Sequence, residues 1–176
     1  AALLDQISAA APRLRGDSGL DLRLRAILST KYLLADEKDL GSNWRDRDAD
    51  FIDNDIGGFL KHLVAAHLPH TVILDCSGSD AVVEHYARWL AAGIHVITPN
   101  KQAGAGPLER YRAIRAAALA DGARFRYEAT VGAGLPVIQT LRELIDTGDT
   151  LLAVDGILSG TLAWLFNSYD GTWPFS

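Results

Sequence analysis

Between residues 71 and 158, short apolar runs alternate with stretches of helical spacing. Thr71-Val72-Ile73-Leu74-Asp75 and Ile94-His95-Val96-Ile97-Thr98 are too short for helices, so each predicts a buried strand. Arg124 to Glu128 and Leu151 to Leu158 predict two more. Helices are expected from a Ser79 cap to Ala92, with Gly93 as the stop, from Pro107 to Ala120, and from Leu135 to Asp146. A further helix begins over Leu162 to Tyr169, and Asp121-Gly122 reads as a turn. Upstream the pattern is looser. Residues 1–15 read as a helix with Leu3, Leu4, Ile7 and Leu14 on roughly one face, and Pro12 is expected to bend or end it. Leu20 to Leu28 sets Leu20, Leu22, Leu24 and Ala26 against Asp21, Arg23 and Arg25, which predicts a strand. Lys31 to Asp55 reads as loop with short helical turns, and Ile56 to His67 as a helix.

Strand and helix in steady alternation predict an α/β fold, a parallel sheet covered by helices. Short strands with little alternation agree, because parallel strands are covered on both faces. Open sheets of this kind bind ligands beyond the carboxyl ends of their strands. Candidate chemistry therefore follows Leu28, Asp75, Thr98 and Glu128.

After Leu28 come Ser29, Thr30 and Lys31, with no acid before Asp36. In a dinucleotide fold, hydroxyls and a cation there suit the 2′-phosphate of NADP better than the free 2′-hydroxyl of NAD; the same residues also make an ordinary polar turn. After Asp75 come Cys76, Ser77, Gly78 and Ser79, which suit polar cofactor atoms at a helix start or simply cap a helix. Pro99, Asn100 and Lys101 follow Thr98, and a lysine so placed polarises a carbonyl, positions a carboxylate, or is a solvated surface cation. After Glu128 stands Gly132-Ala133-Gly134, but a third glycine is missing because position 137 is Val137, so the phosphate-loop match is weak. Its glycines imply an unusual backbone path that turns carbonyls outward beside Glu128, and hard oxygen ligands suit an alkali or alkaline-earth ion.

Bulk properties narrow the field. The 176 residues are 48% hydrophobic and 22% charged with a net charge of −5, an ordinary globular balance with no basic run for nucleic acid. One cysteine, Cys76, rules out an internal disulfide and makes a reducing cytoplasm the expectation. No stretch approaches the roughly 20 apolar residues of a membrane span. Asp46 to Asp50 resembles a calcium loop but has Phe51 and Gly57 where its glycine and glutamate belong, and His62, His67 and His70 lack a zinc partner set. The chain opens on Ala1 without Met, and is expected to be a fragment of a longer polypeptide or a processed chain.

Taken in order, Ile73 to Ser77, Gly93 to Lys101, Glu128 to Pro136 and Gly156 to Leu162 resemble homoserine dehydrogenase. The match is dense from about 71 to 166; Ala2 to Gln6 and Asp21 to Leu24 most resemble the dehydrogenase half of the bifunctional aspartokinase–homoserine dehydrogenases. The resemblance implies a Rossmann-like NAD(P)-binding domain over 1–130, lacking its first strand and glycine-rich loop. The start of an α+β catalytic and dimerisation domain would follow over 131–176. It implies interconversion of L-homoserine and L-aspartate 4-semialdehyde with NADP or NAD, on the route to threonine and methionine, in a protein that forms homo-oligomers. By the same resemblance Lys101 is catalytic, and Leu28, Ser29, Thr30, Ser77, Gly78, Asn100 and Lys101 contact the cofactor. Glu128 and the carbonyls of Val131, Ala133 and Leu135 would hold a sodium ion. Later residues that bind homoserine would lie beyond Ser176, so the 176 residues are expected to be inactive alone, with Leu151 to Phe166 exposed. Two other functions remain open: a non-catalytic binding or regulatory module on a dinucleotide fold, and a dehydrogenase for a different semialdehyde.

Overall fold

The computed structural model describes residues 2–47, 50–64, 70–120, 122–172 and 174. His67 and Asp121, which carry the end of one expected helix and one expected turn, lie outside the described residues, as does most of the Asp46 to Asp50 stretch's centre. The chain divides into two units, Ala1–Pro69 and His70–Ser176.

The first unit holds α1 (Ala2–Ser18), β1 (Ala26–Leu28), β2 (Tyr32–Ala35), β3 (Ile52–Asp53) and α2 (Ile56–Leu63). Pro12 lies inside α1 without ending it, since forfeiting one intrahelical bond leaves its neighbours' bonds intact. The three strands form an antiparallel sheet in the order β1-β2-β3, with Leu28 opposite Leu33 and Leu33 opposite Ile52. Lys31 to Asp55 is loop with a 3₁₀ turn at Ser42–Asp46, as expected, but it also carries the short strands β2 and β3, which were not. Leu33 and Leu34 are both buried, so β2 shows no alternation to read. The strand expected over Leu20 to Leu28 shrinks to its last three residues. Upstream of it the backbone meets side chains and turns instead: Leu24 N–H donates to Asp39 Oδ1 at 2.9 Å, and Leu20 and Leu22 stay exposed. Phe59 and Leu63 of α2 are buried with Leu33, Leu34 and Leu40 to form this unit's core.

The second unit carries the parallel sheet. Its strands β4 (Val72–Leu74), β5 (His95–Ile97) and β6 (Phe125–Arg126) run in the order β4-β5-β6, with Ile73 opposite Val96 and Val96 opposite Phe125. The helix expected from Ser79 to Ala92 is broken into α3 (Asp80–Val83) and α4 (Tyr86–Ala91). Ser79 stands at the N-cap position but its hydroxyl makes no cap bond. Gly93, at φ 77°, ends α4 in the left-handed conformation that glycine tolerates best. Between β5 and β6 lie α5 (Gln102–Ala105) and α6 (Leu108–Ala120). One sheet face is the core: Ile73, Val96, Tyr86, Trp89, Leu90 and Ile114 are buried together.

Beyond β6, residues Glu128–Thr130 make a 3₁₀ turn, α7 spans Val137–Asp146 and α8 Gly160–Ser168. Ser159 caps α8, its hydroxyl accepting the Leu162 N–H at 3.2 Å. Leu151 to Leu158 forms no strand. A strand needs a ladder partner to satisfy its N–H and C=O groups, and these residues lie exposed, Leu152 at 92% and Ile157 at 75%.

Candidate functional site

Three strands of the second unit deliver their carboxyl ends to one edge: Asp75 to Ser79 after β4, Thr98 to Lys101 after β5, and Tyr127 to Thr130 after β6. The first two are tied through Asp75. Its Oδ1 accepts the Ser77 N–H at 2.8 Å. Its Oδ2 accepts Asn100 Nδ2–H at 3.1 Å and the Tyr86 hydroxyl. Thr98 Oγ1 donates to the Asp75 carbonyl at 2.9 Å, accepts the Asn100 N–H at 2.8 Å and stands 3.0 Å from the Tyr86 hydroxyl. Asp75, Thr98 and Asn100 are the buried polar residues among those described. A carboxylate this enclosed is tolerable only when hydrogen-bonded, and here donors reach both oxygens. Burial, and then the bond to Asp75, push the Tyr86 phenol above its ordinary pKa of 10, so it remains a donor.

Lys101 follows this knot and is pinned on both sides. Asn100 Oδ1 accepts the Gln102 N–H at 3.1 Å, while Asn100 Nδ2 also donates to the Ser79 carbonyl at 3.0 Å. Lys101 itself is exposed and, among the described residues, makes no ion pair. It opens on a cavity of about 380 Å³ lined also by Asn100, Tyr111, Phe125, Tyr127 and Thr130. The Tyr111 and Tyr127 hydroxyls are 3.4 Å apart at its wall. Burial, and then its Tyr127 neighbour, raise the Tyr111 phenol above its usual value. A lysine beside two phenols can bind and orient a small polar substrate.

Ser77 and Gly78 thus come together with Asn100 and Lys101, as expected from the strand ends. Ser77 Oγ accepts the Ser79 N–H at 3.3 Å, and the space beside Gly78 is open. Hydroxyl, open backbone and cation are a donor set that fits the polar groups of a dinucleotide. Leu28, Ser29 and Thr30 belong to the first unit, where they close the β1–β2 hairpin. Ser29 Oγ accepts the N–H groups of Lys31 and Tyr32 at 3.1 and 3.0 Å.

Glu128 has a structural role that the sequence did not suggest. Its two oxygens accept the N–H groups of Ile138 and Gln139 at 2.9 and 2.7 Å. The first turn of α7 starts from Pro136, which offers no capping side chain, so Glu128 caps the helix from a distance. Gly132 and Ala133 are both left-handed, at φ 72° and 51°. The Leu135 carbonyl accepts the Val137 N–H at 2.9 Å. Each of these oxygens keeps a second lone pair beside its hydrogen bond within the chain. Among the described residues no three His, Cys, Asp or Glu side chains gather as a metal site.

Sequence reasoning missed Asp75, Tyr86 and Thr98 as a group, along with Tyr111, Tyr127 and Arg110. Arg110 on α6 donates to Asp80 at 2.7 Å and to the Gln102 carbonyl at 2.9 Å, and pairs with Glu84. It thereby joins α3 to the segment after Lys101. The one available signal was Asp75 itself, a carboxylate closing an apolar strand.

The sequence model described as the homoserine dehydrogenase NAD-binding domain matches residues 2–128. The chain belongs to that family. A maize protein, the chloroplastic bifunctional aspartokinase/homoserine dehydrogenase 2, is 42% identical over 180 residues, covering 99% of this chain and 19% of that protein. The chain thus spans about a fifth of the length of the curated relatives it matches. Among solved structures, a Candida auris protein of unknown function aligns with a TM-score of 0.77 at 29% identity, over 92% of this chain and 46% of its own. A hyperthermophilic archaeal homoserine dehydrogenase in complex with NADPH aligns with a TM-score of 0.54 at 25% identity, over 77% of this chain and 44% of its own. The family's Rossmann-like α/β architecture accounts for the parallel β4-β5-β6 sheet. Membership also implies a nicotinamide dinucleotide as cofactor. No helix among the described residues is long and apolar enough to cross a membrane.

Proposed function

We propose that this chain is part of a homoserine dehydrogenase that interconverts L-homoserine and L-aspartate 4-semialdehyde with a nicotinamide dinucleotide. The observation that carries this reading is Lys101: a free cation whose backbone is pinned by Asn100 on the preceding side and Gln102 on the following side, facing a cavity sized for a small substrate. Lys101 would meet the substrate's polar groups. Ser77, Gly78 and Asn100 would line the cofactor's path, and Leu28, Ser29 and Thr30 its adenosine end. The dinucleotide supplies the hydride; these residues bind, orient and hold charge.

NADP is the preferred cofactor in this reading. Ser29, Thr30 and Lys31 offer hydroxyls and a cation without an acid, and the archaeal relative is described in complex with NADPH. The sodium site of Glu128, Val131, Ala133 and Leu135 is part of the same proposal, supported by the paired left-handed residues Gly132 and Ala133. The nucleotide-binding part would run over 1–130, with catalytic and dimerisation structure from 131, supported by a family match that ends at 128. Partners would be the small-molecule substrate and further copies of the full-length protein, not nucleic acid or membrane. A reducing compartment, the cytoplasm, suits the exposed free thiol of Cys76, while the maize relative is named chloroplastic.

The test is NADPH oxidation with aspartate 4-semialdehyde by the longest natural polypeptide carrying these residues. Turnover is expected, and Lys101→Met is expected to lower kcat by about a hundredfold. Absence of turnover with this semialdehyde, but turnover with another, would move the assignment to a different dehydrogenase. NADPH binding without any turnover would favour a binding module. Equal or better turnover with NADH would contradict the NADP preference. The 176 residues by themselves are expected to show no activity.

A further inference from the structure

We propose that the buried carboxylate of Asp75 is a positioning residue that ties the loop at Ser77–Ser79 to the loop at Asn100–Gln102 where they leave the sheet, so that the cofactor contacts and Lys101 share one register. The proposal deepens the dehydrogenase reading and rests on it for the role of Lys101.

The case begins with polarity. Three hydrogens converge on Asp75: the backbone N–H of Ser77, the side-chain amide of Asn100 and the phenol of Tyr86. An ionised carboxylate offers only acceptors, so it satisfies all three at once. Asparagine has the same shape, but its NH₂ must face one of those donors.

Connectivity is the second part. Asp75 follows β4, Asn100 follows β5, and Tyr86 opens α4, the helix that lies between them in the chain. Neighbouring parallel strands fix each other only as far as their ladder runs, here through Asp75 N–H to the Ile97 carbonyl at 3.0 Å. Beyond that point the two loops share no strand pairing. Next to the ladder their relative placement is carried by the Asp75–Asn100 bond, the Asn100–Ser79 bond at 3.0 Å and the Thr98 hydroxyl between them, while Arg110 bridges Asp80 and the Gln102 carbonyl farther along. Asn100 then hands the register on, its Oδ1 accepting the Gln102 N–H across Lys101. Asp75 is only 6% exposed, so it acts through these neighbours rather than by touching a ligand.

The test compares Asp75→Asn with Ile114→Ala in the longest natural polypeptide carrying the chain. Ile114 is a buried apolar residue of α6, 1% exposed, and its truncation loosens the same core without touching the knot. Both variants are expected to lower Tm. NADPH affinity, read by fluorescence titration without substrate, and kcat are measured well below each Tm. Asp75→Asn is expected to weaken NADPH binding and lower kcat by about tenfold or more each, because small misplacements of reacting groups have large kinetic effects. Ile114→Ala is expected to leave both close to wild type. Wild-type affinity and kcat in folded Asp75→Asn would overturn the proposal. If Asp75→Asn does not fold, Tyr86→Phe removes one donor and keeps the carboxylate. About threefold weaker NADPH binding is then expected, and unchanged binding would overturn the proposal. A wild-type protein that binds NADPH but ignores aspartate semialdehyde would sink the homoserine reading while leaving the positioning role to be decided by the titration.

Discussion

The Arg110 guanidinium occupies the space beside Gly106. A methyl group at Gly106 would stand 2.0 Å from Arg110 Nη2 and 3.0 Å from the Gln102 carbonyl oxygen. Gly106→Ala therefore displaces the guanidinium from Asp80, Glu84 and Gln102, and is expected to destabilise the protein by about 1–2 kcal/mol in urea unfolding. In an Arg110→Ala background the same change is expected to cost clearly less. Additive effects in the double variant would show that the two residues do not share this space.

Glu128 and the start of α7 give a second expectation. Because the carboxylate holds the Ile138 and Gln139 N–H groups, Glu128→Ala is expected to cost about 2 kcal/mol, in the upper range for a lost helix cap. Glu128→Gln retains one acceptor and is expected to lose roughly half as much. Unfolding midpoints of the two variants check the order. Sodium, if held here, would raise the midpoint of the wild type and not that of Glu128→Ala.

Acid should weaken the first unit in a defined window. The N–H of Lys38, then the Arg47 guanidinium, hold the Asp36 carboxyl down from 3.8 to about 2. A depressed carboxyl contributes stability that is complete above its unfolded value and lost as pH falls through its folded one. The difference in stability between wild type and Asp36→Asn is therefore expected to be constant above about pH 5, to shrink as pH falls through about 4 to 2, and to level off at its smallest near about pH 1. Urea unfolding at pH 6 and at low pH measures it; a difference that persists unchanged in strong acid would contradict the assignment.

The stretch from Leu151 to Phe166 presents Leu152, Ile157 and Trp164 at 92%, 75% and 69% exposure. Apolar side chains that bury nothing add little stability and promote association. Leu152→Ser combined with Ile157→Ser is expected to leave the unfolding midpoint of the 176-residue chain unchanged and to reduce its binding of an apolar dye. A lowered midpoint would mean that these side chains are packed in solution.

Much of the second unit was legible in advance because its elements announce themselves locally. Val72 to Leu74 and His95 to Ile97 are short apolar runs, Gly93 needs a positive φ to stop α4, and Pro107 precedes α6. The strand-end rule then located Ser77, Gly78, Asn100 and Lys101 at one edge. The first unit resisted because β2 buries consecutive leucines and β3 has only two residues, so neither carries a period. The missing strand over Leu151 to Leu158 is the converse: its apolar pattern is plain, but no partner strand is present among the described residues.

By itself, then, the order of residues determined where β4, β5, α6 and α7 lie and which side chains stand at the ends of the parallel strands, since propensity, turn chemistry and periodicity act over a few positions. Tertiary structure alone decided what those ends do to one another. That Asp75 reaches Asn100 across 25 positions, that Glu128 caps a helix 10 residues on, and that Arg110 reaches back 30 positions to Asp80 are contacts between groups distant in sequence. No local pattern encodes such pairings, because each depends on how whole elements are laid side by side.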